Sequence, residues 1–166
     1  MAALAAGCGS STGGDQHTLQ EYLRAIEPLR LGVNRLLDGA DPVLVGYRHH
    51  QLSAAAAQRR LGRLERRFVD YANRVAAVRP VPPVLWSAQQ AYAHTYVLED
   101  RYLRALIGAV PGRTWARLPD FEPRQRRVIV AWRAALALEA ARVGVPLPPD
   151  VQIAGRGDIA PSPEGD

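Results

Sequence analysis

The segment AAAAQRRLGRLERRFVDYANRVAAV, residues 54–78, carries the strongest structural signal in this 166-residue chain. Its apolar residues recur at alternating spacings of three and four: Ala54, Ala57, Leu61, Leu64, Phe68, Tyr71, Val75 and Val78. This spacing places one apolar stripe along a single side of an α-helix. Because the alternation is sustained over the whole segment, it is typical of a helix that packs on its neighbours like a coiled coil.

Upstream of this segment, Asp41-Pro42 is typical of a helix start, since aspartate is a good N-cap and proline suits the first helical position. No strong breaker separates it from Arg79. We therefore expect one long helix over residues 41–79, roughly 55 Å in length at 1.5 Å of rise per residue. Gly46 and Ser53 are the positions at which such a helix would divide in two.

Three further segments have apolar residues at helical spacing. The first is predicted to begin at a capping box formed by Thr18 and Glu21, to kink at Pro28 and to end at Gly39. The other two are predicted over residues 84–110 and 121–143. No β-type alternation of convincing length is present.

Four helices with short connections predict an all-α fold, and more specifically an antiparallel up-down four-helix bundle with a long second helix. The predicted bundle domain covers residues 18–145. Residues 1–17 precede it as a signal-like segment and tether, and residues 146–166 follow it as an irregular tail rich in proline and glycine. We expect this tail to be extended or disordered, because its composition cannot support a core of its own.

The only cysteine lies near the N-terminus, in the sequence Leu4-Ala5-Ala6-Gly7-Cys8. This sequence resembles the lipobox of bacterial lipoproteins, and the Gly/Ser/Thr run that follows it resembles the flexible tether of that family. The resemblance covers about fifteen residues. It implies a lipid on the Cys8 sulfur, cleavage before Cys8, and attachment to the extracytoplasmic face of the cell membrane. Only seven residues precede Cys8, so we expect the charged and apolar parts of the export signal to be encoded upstream of Met1.

All 21 basic residues are arginines, and the formal net charge is +5. A GC-rich coding sequence explains the choice of arginine, whereas the charge favours anionic partners such as acidic lipids or envelope polymers. The candidate anion-binding surface on the second helix consists of Arg59, Arg60, Arg63, Arg66, Arg67 and Arg74. Aromatic residues are not interleaved with these arginines, so nucleic acid is an unlikely partner.

Two carboxylates interrupt apolar stripes, Glu99 in the third helix and Glu139 in the fourth. A carboxylate on an apolar face is uncommon unless it is paired. We expect structural ion pairs, with Glu99 held by Arg63, Arg66 or Arg67, or partial exposure of the two carboxylates, rather than a catalytic carboxylate pair.

The chain has no nucleophile motif, phosphate-binding loop, dinucleotide fingerprint or Glu-x-x-His metal pair. We therefore predict no catalytic residue, metal or cofactor, and a non-catalytic domain that binds a protein partner or an anionic envelope component. Two alternatives remain open. One is a small-ligand carrier with a cavity lined by Tyr92, Tyr96, Trp132 and Glu99. The other is a cytosolic, arginine-rich, polyanion-binding protein, if the lipobox arises by chance.

Overall fold

The computed structural model describes residues 11–120, 122–152 and 161–163. All secondary structure in these ranges is helical. The α-helices are α1 (Ser11–Asp38), α2 (Asp41–Arg48), α3 (Ala54–Ala76), α4 (Trp86–Ala109), α5 (Glu122–Val143) and α6 (Pro149–Gln152). Two single turns of 3-10 helix, Pro83–Leu85 and Trp115–Arg117, precede α4 and α5. The predicted all-α class is confirmed.

The four long helices surround one core. Helix α3 packs on α1 and α4, α5 also packs on α1 and α4, and the short α2 packs on α3. The apolar stripe of α3 faces inward as predicted, with Leu61, Leu64, Phe68 and Val75 all buried. Because full burial of one such side chain contributes about 1.5–3 kcal/mol, this stripe stabilises the packing of α3 substantially.

A chain of hydrogen bonds crosses the core and joins all four long helices. Trp132 Nε1 on α5 donates to the hydroxyl oxygen of Tyr22 on α1, at 2.9 Å. The Tyr22 hydroxyl donates to Gln89 Oε1 on α4, and Gln89 Nε2 donates to the carbonyl oxygen of Val75 on α3. Burial raises the pKa of Tyr22 above its usual value, because the charged form would lose its hydration. These polar groups are therefore buried with partners in place.

The first helix begins at Ser11, seven residues earlier than predicted. The predicted capping box is wrong, because Thr18 lies inside α1 and its Oγ1 donates to the carbonyl oxygen of Gly14 at 2.8 Å. A threonine that bonds back to the preceding turn satisfies its hydroxyl without capping anything. The helix continues through Pro28 and ends at Asp38, which agrees with the predicted stop at Gly39.

The structure divides the predicted long second helix into α2 and α3, so residues 41–79 do not form one continuous helix. His50, between them, has a positive φ of 59°, which a helix does not accommodate. Ser53 then caps α3, with its Oγ accepting a hydrogen bond from the backbone N–H of Ala56 at 3.2 Å. Of the two candidate break points, Ser53 is the one that begins a new helix.

The described parts of the predicted tail contact the bundle. Helix α6 packs on α5, and Val151 within it is buried. Farther along, the hydroxyl of Tyr102 on α4 donates to the carbonyl oxygen of Pro161 at 2.8 Å. A buried tyrosine hydroxyl requires an acceptor, and the C-terminal chain supplies it here. The expectation of a wholly extended or disordered tail does not hold for these residues.

Candidate anion-binding site

A concave groove of about 620 Å³ lies between α1, α2 and α3. Its walls carry four arginines, Arg35 from α1 and Arg60, Arg63 and Arg67 from α3. Its remaining lining is mostly apolar and includes Leu36, Val43 and Leu64. The groove therefore combines four guanidinium groups with apolar lining residues.

The arginines of α3 reach the groove because of their spacing. Arg60, Arg63 and Arg67 are three and four residues apart, so they lie on one face of the helix. Arg35 lines the same groove from α1. None of these four guanidinium groups lies within 4 Å of a described carboxylate oxygen. Glu65, the nearest acid on α3 in sequence, accepts from Arg104 Nε of α4 at 3.1 Å.

Tyr71 closes one side of the groove by lying directly against α1. A Cβ atom added to Gly32 would stand 2.6 Å from the Tyr71 ring and hydroxyl, so only glycine permits this approach. The guanidinium of Arg74 lies 5.6 Å from the centre of the same ring. Gly32 thus leaves room for the Tyr71 ring, and the Arg74 guanidinium contacts the same ring by a cation–π interaction.

The chemistry of these groups is specific to anions. A guanidinium presents a planar fork of N–H donors that matches the oxygens of phosphate and carboxylate groups. Four such groups around one groove could together bind an anion that carries several phosphate or carboxylate groups. Because the arginine side chains are exposed, their attraction is screened by salt beyond about 8 Å at physiological ionic strength.

The structure divides the predicted basic surface into two sets. Arg60, Arg63 and Arg67 line the groove, whereas Arg59, Arg66 and Arg74 lie outside its lining. Sequence reasoning missed Arg35, which belongs to another helix. Spacing within α3 gives no indication of it, because the position of Arg35 depends on how α1 packs against α3.

Glu99 is buried, but the predicted arginine partner is wrong. Its Oε2 accepts a hydrogen bond from Gln125 Nε2 of α5 at 2.6 Å. Arg63 and Arg67 instead line the groove on the side of α3 that faces α1. The pairing was predicted from the positions of these residues along the helix axes alone. Around the axis of α3, the arginines lie on a different side from the surface that packs on α4.

Glu139 is also buried, and it is paired as predicted for a structural carboxylate. Arg142 Nε and Nη2 each donate to one Glu139 oxygen at 2.7 Å. Arg142 Nη2 also donates to Asp15 Oδ2 of α1 at 2.7 Å. Hydrogen bonds to Glu139 and then Asp15 raise the pKa of this guanidinium. The arrangement is a connection between α5 and the beginning of α1.

The residues proposed to line a carrier cavity are packed against one another. The rings of Tyr92 and Trp132 stack with centroids 4.3 Å apart, and the hydroxyls of Tyr92 and Tyr96 are 2.8 Å apart. Phe68 stacks on the other side of Tyr96. These contacts fill the space that a ligand would need, which disfavours the carrier alternative.

The outer face of α5 has an unusual composition. Val130 is 51% exposed and Leu138 is 75% exposed, whereas the charged residues Arg133 and Glu139 of the same helix are buried. Two apolar side chains are therefore exposed on a helix that also buries two charged ones. An exposed apolar helix face of this kind is a candidate protein contact.

Neither the protein-family models nor the curated proteins and solved structures include a match to this chain.

Cys8, the predicted lipidation site, lies outside the described residues. No described helix combines the length and the apolar character needed to cross a membrane. Within residues 11–120, 122–152 and 161–163, no three histidine, cysteine or acidic side chains are grouped so that they could hold a metal ion.

Proposed function

We propose that this chain is a non-catalytic, lipid-anchored helical protein of the bacterial cell envelope that binds an anionic envelope component in the groove between α1, α2 and α3. The observation that carries the binding part is the convergence of Arg35, Arg60, Arg63 and Arg67 without a described carboxylate partner. The ligand that suits this site best is a phosphate-bearing polymer.

The composition of the groove supports a binding site for such a ligand rather than a chance accumulation of arginines. Three of the six arginines of α3 line one concavity, and Arg35 of α1 lines it with them. The apolar lining residues add a surface for the carbon chain between phosphates. Long-range attraction from the net charge of +5 would also speed the encounter with a polyanion.

The anchoring part of the proposal rests on the lipobox resemblance of residues 4–8. A tether at Cys8 would keep the domain at the membrane surface while leaving the groove open to the envelope.

We also infer the antiparallel up-down order of the four long helices, because α3 and α5 each pack between α1 and α4 and short connections join consecutive helices.

The binding site can be tested by titration calorimetry with a synthetic poly(glycerol phosphate) and with a neutral polyol of the same length. The double variant Arg63→Gln/Arg67→Gln removes two groove guanidiniums. Hydrogen bonds to charged groups contribute about 1.5–3 kcal/mol each, so affinity should fall about tenfold or more for each arginine removed. Binding should also weaken as salt concentration rises.

Arg59→Gln/Arg66→Gln is the matched control, since it removes the same charge from the same helix outside the groove lining. It should lower affinity far less than the groove variant. Equal losses from the two double variants would show that net charge alone drives binding, and absence of binding to the phosphate polymer would reject the ligand class.

Lipid attachment is tested separately. The gene, with the codons upstream of Met1, is expressed in a bacterial host alongside its Cys8→Ser variant, and both are partitioned between detergent and water. The unaltered protein should enter the detergent phase and the variant should remain in the aqueous phase. Identical partition of both into water would contradict the anchor and favour the cytosolic alternative.

A protein partner is the second candidate, and the exposed apolar face of α5 favours it. Leu138→Glu would place a charge at the centre of this face without disturbing the core, because the side chain is exposed. If a protein partner binds here, co-purification of that partner from membranes should be lost in Leu138→Glu and retained in Arg63→Gln/Arg67→Gln. The reverse result would assign the partner to the groove.

A further inference from the structure

The turn before α4 exposes large apolar and aromatic side chains. Val84 is 61% exposed and Trp86 is 42% exposed. The guanidinium of Arg79 lies over the Trp86 ring, 4.8 Å from its centre. We refer to Arg79, Val84 and Trp86 as the Trp86 corner. Exposed tryptophan beside arginine is typical of the interface between membrane and water, where an amphipathic ring and a long basic side chain both find suitable surroundings.

The Trp86 corner lies at the same end of the bundle as the beginning of α1. Val84 lines one cavity, of about 460 Å³, together with Asp15 and Thr18 of α1. Arg142, which also lines this cavity, bonds Asp15 directly. The position of the corner relative to the N-terminal end of α1 is therefore fixed by contacts between described residues.

The reach of the chain brings this end close to any lipid on Cys8. Three residue steps separate Cys8 from Ser11, and three steps span at most about 11 Å. From Ser11 the helix rises about 6 Å to Asp15. A lipid on Cys8 would thus hold the cavity beside Val84 within roughly 20 Å of the bilayer surface.

We propose that the Trp86 corner contacts the headgroup region of the bilayer and orients the bundle with this end toward the membrane. The inference rests on the proposed lipid at Cys8. The occupant is a lipid surface rather than a protein, because the tether brings this end of the bundle to that surface.

This orientation restricts the class of anion that could bind in the arginine groove. The groove residues of α1, Gly32, Arg35 and Leu36, lie roughly 20–30 Å beyond Thr18 along the helix axis. Electrostatic attraction is screened within about 8 Å at physiological salt, so the headgroups beneath the bundle would not reach the groove. The ligand of the groove is then an anion of the envelope space rather than the supporting bilayer.

The experiment couples the full chain through Cys8, its only cysteine, to a maleimide phospholipid in phosphatidylcholine vesicles. Trp115→Phe removes one of the three tryptophans and leaves the buried Trp132 as an internal reference. Trp86 emission should shift to shorter wavelength on coupling and should be quenched by brominated lipid. In Trp86→Phe both changes should disappear.

Val84→Asp should abolish the quenching of Trp86, because a charge in the Trp86 corner opposes entry into the interface. Val130→Asp is the matched control, an exposed valine on α5 about 13 Å farther along the bundle than Glu139. It should leave the quenching unchanged. Circular dichroism of each variant checks that the helices are retained.

Equal Trp86 emission in ordinary and brominated vesicles would overturn the proposal, as would a loss of quenching in Val130→Asp alone. A blue shift that grows with protein density on the vesicle, without quenching, would assign the corner to a second copy and also overturn it. Because the coupling is chemical, these outcomes do not depend on whether cells lipidate Cys8. Failure of the anchor in cells and failure of the bilayer contact are therefore distinguishable.

Discussion

The indole Nε1 of Trp132 donates a hydrogen bond to the hydroxyl oxygen of Tyr22, 2.9 Å away, and so joins α5 to α1 in the middle of the core. Both side chains are fully buried. Because the same hydroxyl donates to Gln89, one oxygen atom is shared among three helices. Removing it leaves a donor and an acceptor without partners in a region that water does not reach.

Tyr22→Phe should therefore lower the free energy of unfolding by about 1–3 kcal/mol, the usual cost of unsatisfied buried polar groups. Chemical denaturation followed by circular dichroism measures the change. Tyr71→Phe serves as the comparison, since Tyr71 is only partly buried, and it should change stability by no more than about 0.5 kcal/mol. A loss in Tyr22→Phe as small as that of Tyr71→Phe would contradict the role assigned to the shared hydroxyl.

Gly32→Ala should weaken anion binding more than it changes stability. The added methyl group displaces the ring of Tyr71, which stands 2.6 Å from the new atom and can swing outward. Alanine also gains about 1 kcal/mol of helix propensity over glycine, which offsets part of the lost contact. Calorimetric titration with poly(glycerol phosphate), together with thermal denaturation, separates the two effects. Gly62→Ala, where a Cβ meets only Arg66 at 3.8 Å, should leave binding intact.

Stability should fall at alkaline pH through Tyr102. Burial, with the nearby charges of Glu122 and Glu99, raises the pKa of Tyr102 to about 12, from 10.0. A raised pKa means that the folded state keeps the proton that the unfolded state releases above pH 10, so stability is lost between about pH 10 and 12. The free energy of unfolding of the unaltered protein should decline more steeply over this range than that of Tyr102→Phe. The difference between the two slopes should correspond to the release of up to about one additional proton on unfolding. Parallel slopes would show that Tyr102 titrates normally.

Ser53→Ala should destabilise the start of α3 by about 1 kcal/mol, because it removes the acceptor for the N–H of Ala56. Ser53→Asp restores an acceptor and should recover most of the loss. Hydrogen exchange at Ala56 and Ala57 measures the effect locally. Unchanged exchange in Ser53→Ala would mean that packing alone fixes this helix end.

The helices were predictable where one apolar stripe faces the core. In α3 the spacing of Leu61, Leu64 and Phe68 sufficed, because their periodicity and their burial have the same cause. The division at residues 49–53 was harder to predict, since it depends on the positive φ of His50, a residue type that gives no such signal. The early start of α1 was missed because Gly13 and Gly14 resemble a tether more than a helix.

The candidate site was predictable only in part. Regular spacing identified Arg60, Arg63 and Arg67, but the sequence could not show that Arg35 of another helix lines the same groove. The position of Glu99 in an apolar stripe left its burial open, and its contact with Gln125 depends on how α4 and α5 are rotated against each other. Spacing within one helix is a local property, and facing partners are set by the packing of the whole molecule.

The bond between Asp15 and Arg142 has a mechanical consequence for a chain held at its N-terminus. A pull on the lipid would enter the domain near the start of α1 and would act along the axis of that helix. To leave the bundle, α1 would have to slide past α3 and α5 along its own axis. Its contacts with these two helices would then bear the force at the same time rather than one after another. If Cys8 carries a lipid as proposed, tension on that lipid would therefore act on the bundle in shear, parallel to the packed faces of α1.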